Sequence, residues 1–180
     1  MSAPFAGTGG AGTVEEVYAR LLERAPENRM APRLDAMRRT MEVLGEPQRA
    51  APVIHLTGTN GKTSTARMVE ALLLAHDLRV GRYTSPHLSR VTERISVDGA
   101  PVDDETFVRV FGEIAPYLGF VDAELAERGE PRLSYFETVT ALAFAVFADA
   151  PVDVVVLEVG IGGSWDATNV ADAVVSVVTP

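Results

Sequence analysis

Residues 53–64 read Val53-Ile54-His55-Leu56-Thr57-Gly58-Thr59-Asn60-Gly61-Lys62-Thr63-Ser64. The apolar run from Val53 to Leu56 is typical of a short buried strand, and a glycine-containing loop follows it. From about Thr63 to His76 the chain is rich in Ala, Met and Leu on nearly every side, which predicts a buried helix. A strand, a glycine loop and a helix in this order predict a phosphate-binding loop at the start of the helix.

The loop contains the residue types that phosphate binding requires. We predict nucleotide contacts from seven consecutive residues, Gly58, Thr59, Asn60, Gly61, Lys62, Thr63 and Ser64. Glycines let backbone N–H groups close around phosphate oxygens, and Lys62 can reach the terminal phosphates as the catalytic cation. A hydroxyl at Thr63 or Ser64 can approach magnesium. The full Walker spacing would place a glycine where this chain has Leu56, so the motif is a shortened form, and a tight glycine turn with a solvated lysine is the alternative.

Composition limits the classes of function. The 180 residues are 47% hydrophobic, which suffices for one domain with a substantial core. The 25 acidic and 16 basic residues leave a formal charge of -9, which opposes binding to nucleic acid or to an anionic membrane. Cysteine is absent, so a disulfide framework and a thiolate metal site are excluded. The N-terminus has neither a basic head nor an apolar stretch, so we expect a cytoplasmic protein with a flexible tail over 1–12 and one domain over 13–180.

Hydrophobic periodicity extends the pattern of strands and helices along the chain. Further helices are predicted after Thr13, over 34–44, from Asp103 to Gly119 and over 136–147. Further strands are predicted over 79–84 and 173–178, with a hairpin around Asp98-Gly99 and a central parallel strand over 152–159. The polar segment 124–131 is predicted to be an exposed loop. This alternation predicts a doubly wound, mostly parallel α/β sheet that binds ligands at the carboxyl ends of its strands.

Glu158 stands at the end of the predicted central strand, beside glycines. Because an isolated buried carboxylate is costly and a bound cation would offset that cost, we predict that Glu158 is a magnesium ligand. The alternative is a carboxylate that caps backbone N–H groups of the following loop. His55 and His76 are predicted to be structural, and the role of His87 stays open.

Further blocks of sequence resemble one enzyme family in order and context. The blocks are 81–88, Glu93-Arg94-Ile95, Ser134-Tyr135-Phe136-Glu137, 157–163 and Asp166-Ala167-Thr168-Asn169. Together with the shortened loop they cover most of residues 53–180, and they resemble folylpolyglutamate synthase and the bifunctional dihydrofolate synthase of the Mur ligase superfamily. Muramyl ligases share the loop but not the serine-proline-histidine segment with the later glycine-rich block. The chain departs from the family at Ser164, where arginine is common, so a contact of that arginine is in doubt.

The resemblance implies a ligase, dependent on ATP and Mg²⁺, that joins L-glutamate to dihydropteroate or to a folate through an acyl phosphate. It implies that Ser85 is a second magnesium ligand, whereas the residues alone read Ser85-Pro86 as an ordinary turn. It also implies a set of residues around the pterin-bearing substrate: Ser134, Tyr135, Phe136, Glu137, Trp165, Asp166 and Ala167. Aromatic faces in this set can stack on a flat heterocycle and a carboxylate can accept from its N–H groups, although Phe136 equally fits the apolar face of its helix.

Members of the family continue past the equivalent of Pro180 into a histidine ligand, a modified lysine and a C-terminal domain. The resemblance therefore implies a chain truncated at its C-terminal end, with the C-terminal domain absent, that cannot form product on its own. We expect it to be a monomer whose partners are small molecules. A muramyl-type amino-acid ligase and a non-catalytic nucleotide-binding fragment are the alternatives.

Overall fold

The computed structural model describes residues 12–26 and 33–180. Its helices are α1 (Val14–Leu22), α2 (Asp35–Val43), α3 (Lys62–Leu74), α4 (Asp104–Glu127) and α5 (Tyr135–Asp149). Its strands are β1 (Val53–Thr57), β2 (Val80–Tyr83), β3 (Ile95–Val97), β4 (Ala100–Pro101), β5 (Val154–Glu158) and β6 (Ala173–Val178). Short 3-10 helices lie at Pro47–Arg49, Val91–Arg94 and Ala167–Val170. The predicted tail, apart from Gly12, lies outside the described residues.

The strands of the described residues form one mixed sheet in the order β4-β3-β2-β5-β1-β6. The neighbours β2, β5, β1 and β6 run parallel, and β3 and β4 add an antiparallel edge. Asp98 and Gly99, with φ angles of 52° and 84°, form the turn between β3 and β4, which confirms the predicted hairpin. Strand β5 lies between β2 and β1 and is buried along its length, which confirms the predicted central strand.

Side chains of the sheet alternate between two faces, and helices pack on both. One face meets α3 through a small cluster that contains Leu56, Val80, Val154 and Val156 together with Ala66. The opposite face carries Tyr83, Val155 and Leu157 and joins a much larger cluster with the other four helices. Gly81 on β2 lies against the Phe147 ring of α5, and a methyl group at position 81 would clash with that ring. The fold is therefore a mixed α/β sheet whose central strands are shielded from water on both sides.

Two predictions about helices were wrong. Helix α4 does not end at Gly119 but runs to Glu127, so the first half of the predicted loop over 124–131 is helical. The helix continues because Val121 and Leu125 extend its buried stripe by two more turns. Helix α3 was predicted to be buried, yet its buried residues are only Ala66 and Glu70, and the side chains of Met68 and Leu72 are 58% and 66% exposed. An apolar composition on every side does not bury a helix that packs on a sheet through one face.

Local capping explains where several helices begin. Thr13 and Glu16 form a capping box at the start of α1, where a helix was predicted, and the Asp103 carboxylate accepts the N–H group of Thr106 at the start of α4. Helix α2 ends before Gly45, which has a φ angle of 78° that suits a helix terminus. Within residues 12–26 and 33–180, no helix is long and apolar enough to cross a membrane.

Candidate nucleotide and metal site

The glycine loop joins β1 to α3 in a shape that only glycine accepts readily. Gly58 and Gly61 have φ angles of 136° and 79°, in the region that L side chains disfavour. A methyl group at Gly58 would also collide with the side chain and carbonyl group of Thr179. Because α3 begins at Lys62, the N–H groups of its first turn lack partners within the helix and face the loop. This geometry supplies donors and positive potential for an anion.

The loop is held in place by hydrogen bonds within the chain. The Lys62 ammonium donates to the carbonyl oxygen of Gly58 over 2.8 Å. The N–H groups of Thr59 and Asn60 donate to the carbonyl oxygen of Pro180 over 3.1 and 2.6 Å. The Lys62 side chain is therefore folded over the loop, and its ammonium is hydrogen bonded to the backbone of the same loop that would bind a phosphate group.

Glu158 brings the ends of three neighbouring strands together. Its two carboxylate oxygens accept the Thr63 hydroxyl at 3.0 and 2.9 Å, and the carboxylate also accepts the backbone N–H group of Ser85. Strand β5, which ends at Glu158, lies between β1 and β2, so the glycine loop lies on one side and Ser85 on the other. Of the two hydroxyls that the motif offered, Thr63 faces Glu158, whereas Ser64 is exposed.

The electrostatics of Glu158 agree with a cation site. Only 2% of the residue is exposed, and this burial raises the pKa of its carboxyl group, while the Thr63 hydroxyl and the Lys62 charge oppose the rise. A carboxylate beside the Thr63 hydroxyl, with the Ser85 residue hydrogen bonded to it through its backbone, offers hard oxygen donors, which fit Mg²⁺. The described residues contain no cluster of three or more His, Cys, Asp or Glu side chains that could hold a metal ion, so phosphate oxygens and water would have to complete the shell.

The structure brings the two predicted substrate blocks together but gives most of their side chains structural contacts. Ser134 and Glu137 form the capping box of α5, and Glu137 also pairs with Arg33 over 3.1 Å. Phe136 is fully buried and lies directly against Gly160, in the loop that follows β5. The start of α5 therefore adjoins the loop that carries Trp165.

Within that loop the exposure of the residues differs sharply. The Asp166 carboxylate is fully buried and accepts the N–H groups of Gly160 and Ile161 at 3.1 and 2.9 Å. It also accepts both the N–H group and the hydroxyl of Thr168. Ala167 is buried, whereas Trp165 is 53% exposed. Trp165 is thus the member of the predicted substrate set with an accessible ring.

The three histidines have different surroundings. His55 Nε2 lies 2.8 Å from the Thr168 hydroxyl. Because the Thr168 hydroxyl donates its proton to Asp166, it accepts a hydrogen bond from His55. This contact agrees with a structural role for His55. Burial lowers the pKa of His55, and the Asp166 charge opposes this. His76 is exposed at the end of α3. His87 accepts from Arg94 Nε over 2.9 Å through Nδ1.

Sequence patterns did not identify two groups of side chains near these elements. His87 lines a cavity of about 350 Å³ whose other lining residues are Tyr18, Leu22, Arg24, Pro26, Arg94 and Tyr135. Glu70 and Arg82 form a buried ion pair between α3 and β2. A charged residue in the middle of an apolar strand, as Arg82 is, is the sequence signal that could have indicated the second group.

Comparisons with known proteins agree on one family. No family model matches the sequence. The chain is 53% identical over 161 residues to the dihydrofolate synthase/folylpolyglutamate synthase of Mycobacterium tuberculosis, a match that covers 88% of this chain and 33% of the relative. The solved structure of Mycobacterium tuberculosis folylpolyglutamate synthase complexed with ADP superposes with a TM-score of 0.86 at 49% identity, over 92% of this chain and 36% of that one.

A second solved structure, E. coli FolC in complex with DHPP and ADP, has a TM-score of 0.80 at 38% identity and covers 94% of this chain and 38% of that chain. The chain thus spans about a third of the length of the curated relatives that it matches. The chain is therefore a homologue of part of the folylpolyglutamate synthase and dihydrofolate synthase enzymes.

Proposed function

We propose that the complete gene product containing this chain is an ATP-dependent ligase that joins L-glutamate to dihydropteroate or to a (poly)glutamylated folate. The observation that carries the proposal is the convergence of Thr63, Ser85 and Glu158 beside the glycine loop. It places hydroxyl and carboxylate oxygens next to a helix N-terminus, where phosphate groups bind. The homologues named above support the family of reaction.

ATP would bind in the glycine loop, acting as a P-loop in a doubly wound sheet. The N–H groups of the first turn of α3 would donate to the terminal phosphates. Lys62, whose ammonium donates to the Gly58 carbonyl in the same loop, would exchange that bond for one to phosphate oxygens. Its ammonium would then offset negative charge on the transferring phosphoryl group.

Thr63, Ser85 and Glu158 would hold Mg²⁺ with phosphate oxygens and water. When bound, the ion would neutralise charge on the phosphates during transfer. The substrate carboxylate would attack the γ-phosphate of ATP, giving an acyl phosphate and ADP. The amino group of glutamate would then displace inorganic phosphate from the acyl carbon and lose a proton to form the amide. A side-chain nucleophile is not required, so the chain contributes positioning and electrostatics.

A pterin-bearing acid is the proposed substrate. The accessible Trp165 ring can stack on a flat heterocycle beside Asp166. Asp166 already accepts from Gly160, Ile161 and Thr168, so it would have to exchange one of these bonds for a ring N–H group. Contacts from 134–137 and Ala167 are proposed on the resemblance and on the closeness of Phe136 to Gly160.

The test is an assay of the complete gene product with ATP, Mg²⁺, L-glutamate and dihydropteroate. We expect a product heavier by one glutamate residue together with one ADP and one phosphate for each turnover. ADP formation without any glutamylated product, with dihydropteroate and with folates, would contradict the proposal.

Trp165, the only tryptophan of the chain, separates this proposal from a muramyl-type ligase. Dihydropteroate should quench its fluorescence saturably, whereas a uridine-diphosphate muramyl peptide should not. The opposite pattern would favour the muramyl ligase. We further propose a monomer that acts on small molecules without nucleic acid or a membrane, on the basis of its formal charge of -9.

A further inference from the structure

Arg82 on β2 and Glu70 on α3 form a buried ion pair that the proposed reaction does not use. Arg82 Nε donates to Glu70 Oε2 over 2.6 Å, and the side chains of both residues are 7% exposed. Arg82 also donates to the Thr84 hydroxyl over 2.9 Å, and the Ser96 hydroxyl donates to the second oxygen of Glu70 over 3.0 Å. Removing two charges from water is costly, and apolar residues of similar volume often stabilise a fold equally well. Stability alone therefore does not account for the pair.

The pair lies between the two elements that donate hydrogen bonds to Glu158, the Thr63 hydroxyl from α3 and the Ser85 N–H group after β2. Glu70 follows Thr63 by seven residues, two helical turns, so both project from the same face of α3. Arg82 precedes Ser85 by three residues, and its second partner, Thr84, is the residue directly before Ser85. The hydrogen bonds from Arg82 thus tie the α3 helix to the end of β2 at the point where the chain turns toward Glu158.

We propose that Arg82 and Glu70 are positioning residues that keep α3 and the end of β2 in register, so that Thr63 and Ser85 both reach Glu158. The inference rests on the proposed function, because it concerns the site that would bind Mg²⁺ with ATP. The Arg82 guanidinium is suited to this role because its planar fork holds Glu70 and Thr84 at once in fixed directions. A lysine has a single ammonium group and would hold the two partners less rigidly.

The decisive variant replaces both charges with apolar side chains, Arg82→Met with Glu70→Leu, in the complete gene product. Removing both charges leaves no unpaired buried charge, so we expect the melting temperature to stay near that of the wild type. We expect the affinity for ATP in Mg²⁺ to fall by about 10- to 100-fold, the range typical of residues that orient metal ligands. ATP affinity in EDTA, which reports the glycine loop alone, should not change.

Single variants test the inference even if the double variant does not fold. Thr84→Val removes one bond of Arg82 with little change in volume, and Arg82→Lys retains the charge; both should lose part of the Mg²⁺-dependent affinity. Arg79→Met is the matched control, since Arg79 pairs with Asp98 at the opposite end of β2 and is exposed. It should bind Mg-ATP as the wild type does.

The outcomes separate this inference from the proposed function. If the wild type does not bind Mg-ATP, both are wrong. If the wild type binds and the folded double variant retains the full Mg²⁺-dependent affinity, the positioning role alone is overturned. If the double variant does not fold, wild-type Mg-ATP affinity in both Thr84→Val and Arg82→Lys overturns it instead.

Discussion

The chemistry of Lys62 depends on its immediate neighbours in the glycine loop. Its ammonium donates to Gly58, within the loop that precedes α3. We predict that Lys62→Ala weakens ATP binding by about 10- to 100-fold, because a hydrogen bond to a charged group contributes about 1.5–3 kcal/mol. Isothermal titration calorimetry of the complete gene product measures this. Arg67→Ala, which removes an exposed cation from the same helix, is the control and should bind normally.

Glu158 should show opposite effects on stability and on metal binding. A buried carboxylate whose pKa is raised by burial is costly in its charged form, so Glu158→Gln should raise the melting temperature without Mg²⁺. We expect a rise of roughly 2–4 °C, equivalent to about 1 kcal/mol in a domain of this size. The same variant should lose the Mg²⁺-dependent part of ATP affinity and most ligase turnover.

The control for this change is Glu113→Gln, which alters an exposed carboxylate on α4. Differential scanning calorimetry should find its stability within about 0.5 kcal/mol of the wild type. Near-normal turnover in Glu158→Gln would show that Glu158 only caps the N–H groups around it.

Among the elements, α4 depends on a local cap at its start and on tertiary packing at its end. Asp103 accepts the N–H group of Thr106 at 2.8 Å, and Val121 and Leu125 pack into the core about five to six turns later. We predict that Asp103→Ala lowers the free energy of unfolding by about 1 kcal/mol, measured by urea denaturation. Asp103→Asn retains a capping oxygen and is the control, and it should be nearly neutral.

The Asp103→Ala variant also tests whether the negative charge of Asp103 contributes to the stability of the cap. The hydrogen bond from Thr106 holds the pKa of Asp103 below its usual range, so its stabilisation is complete above the unfolded pKa of about 3.9. This stabilisation is lost as the pH falls through the lower pKa that Asp103 has in the folded state. The stability curves of wild type and Asp103→Ala should therefore converge in acid. A constant difference down to the lowest measurable pH would assign the loss to helix propensity instead.

On the scale of the whole molecule, the two faces of the sheet differ in how much they bury. Helix α5 lies in the large cluster with most of its residues buried, whereas α3 contributes Ala66 and Glu70. Because local opening is easiest where few apolar contacts hold an element, we predict that the amides of α3 exchange with solvent at least tenfold faster than those of α5. Hydrogen exchange with mass spectrometry measures both.

Binding of nucleotide should reduce the difference in amide exchange rate between α3 and α5. Mg-ATP that binds the loop would stabilise the folded state and protect the first turn of α3 most. Equal protection of α3 and α5 without nucleotide would contradict the prediction. Such a result would mean that the Arg82 to Glu70 pair and the small cluster anchor α3 as firmly as the large core anchors α5.

The sequence alone determined the features that depend on neighbours in the chain. These are the strand, glycine loop and helix over 53–74, the Asp98-Gly99 turn and the helix starts at Thr13 and Asp103. Hydrogen bonds over three or four residues and φ preferences set each of them, so residue order suffices to predict them. The resemblance in its sequence blocks likewise identified the family before any contact was known.

Only the tertiary structure decided which side chains meet. Thr63 and Glu158 are 95 residues apart in sequence, yet they hydrogen bond because β1 and β5 are neighbours in the sheet. The length of α4, the exposure of α3 and the pairing of Arg82 with Glu70 likewise depend on which surfaces pack together. Periodicity shows that a residue is apolar or charged, but burial and partnership depend on distant segments, because the free energy of packing is a property of the folded chain.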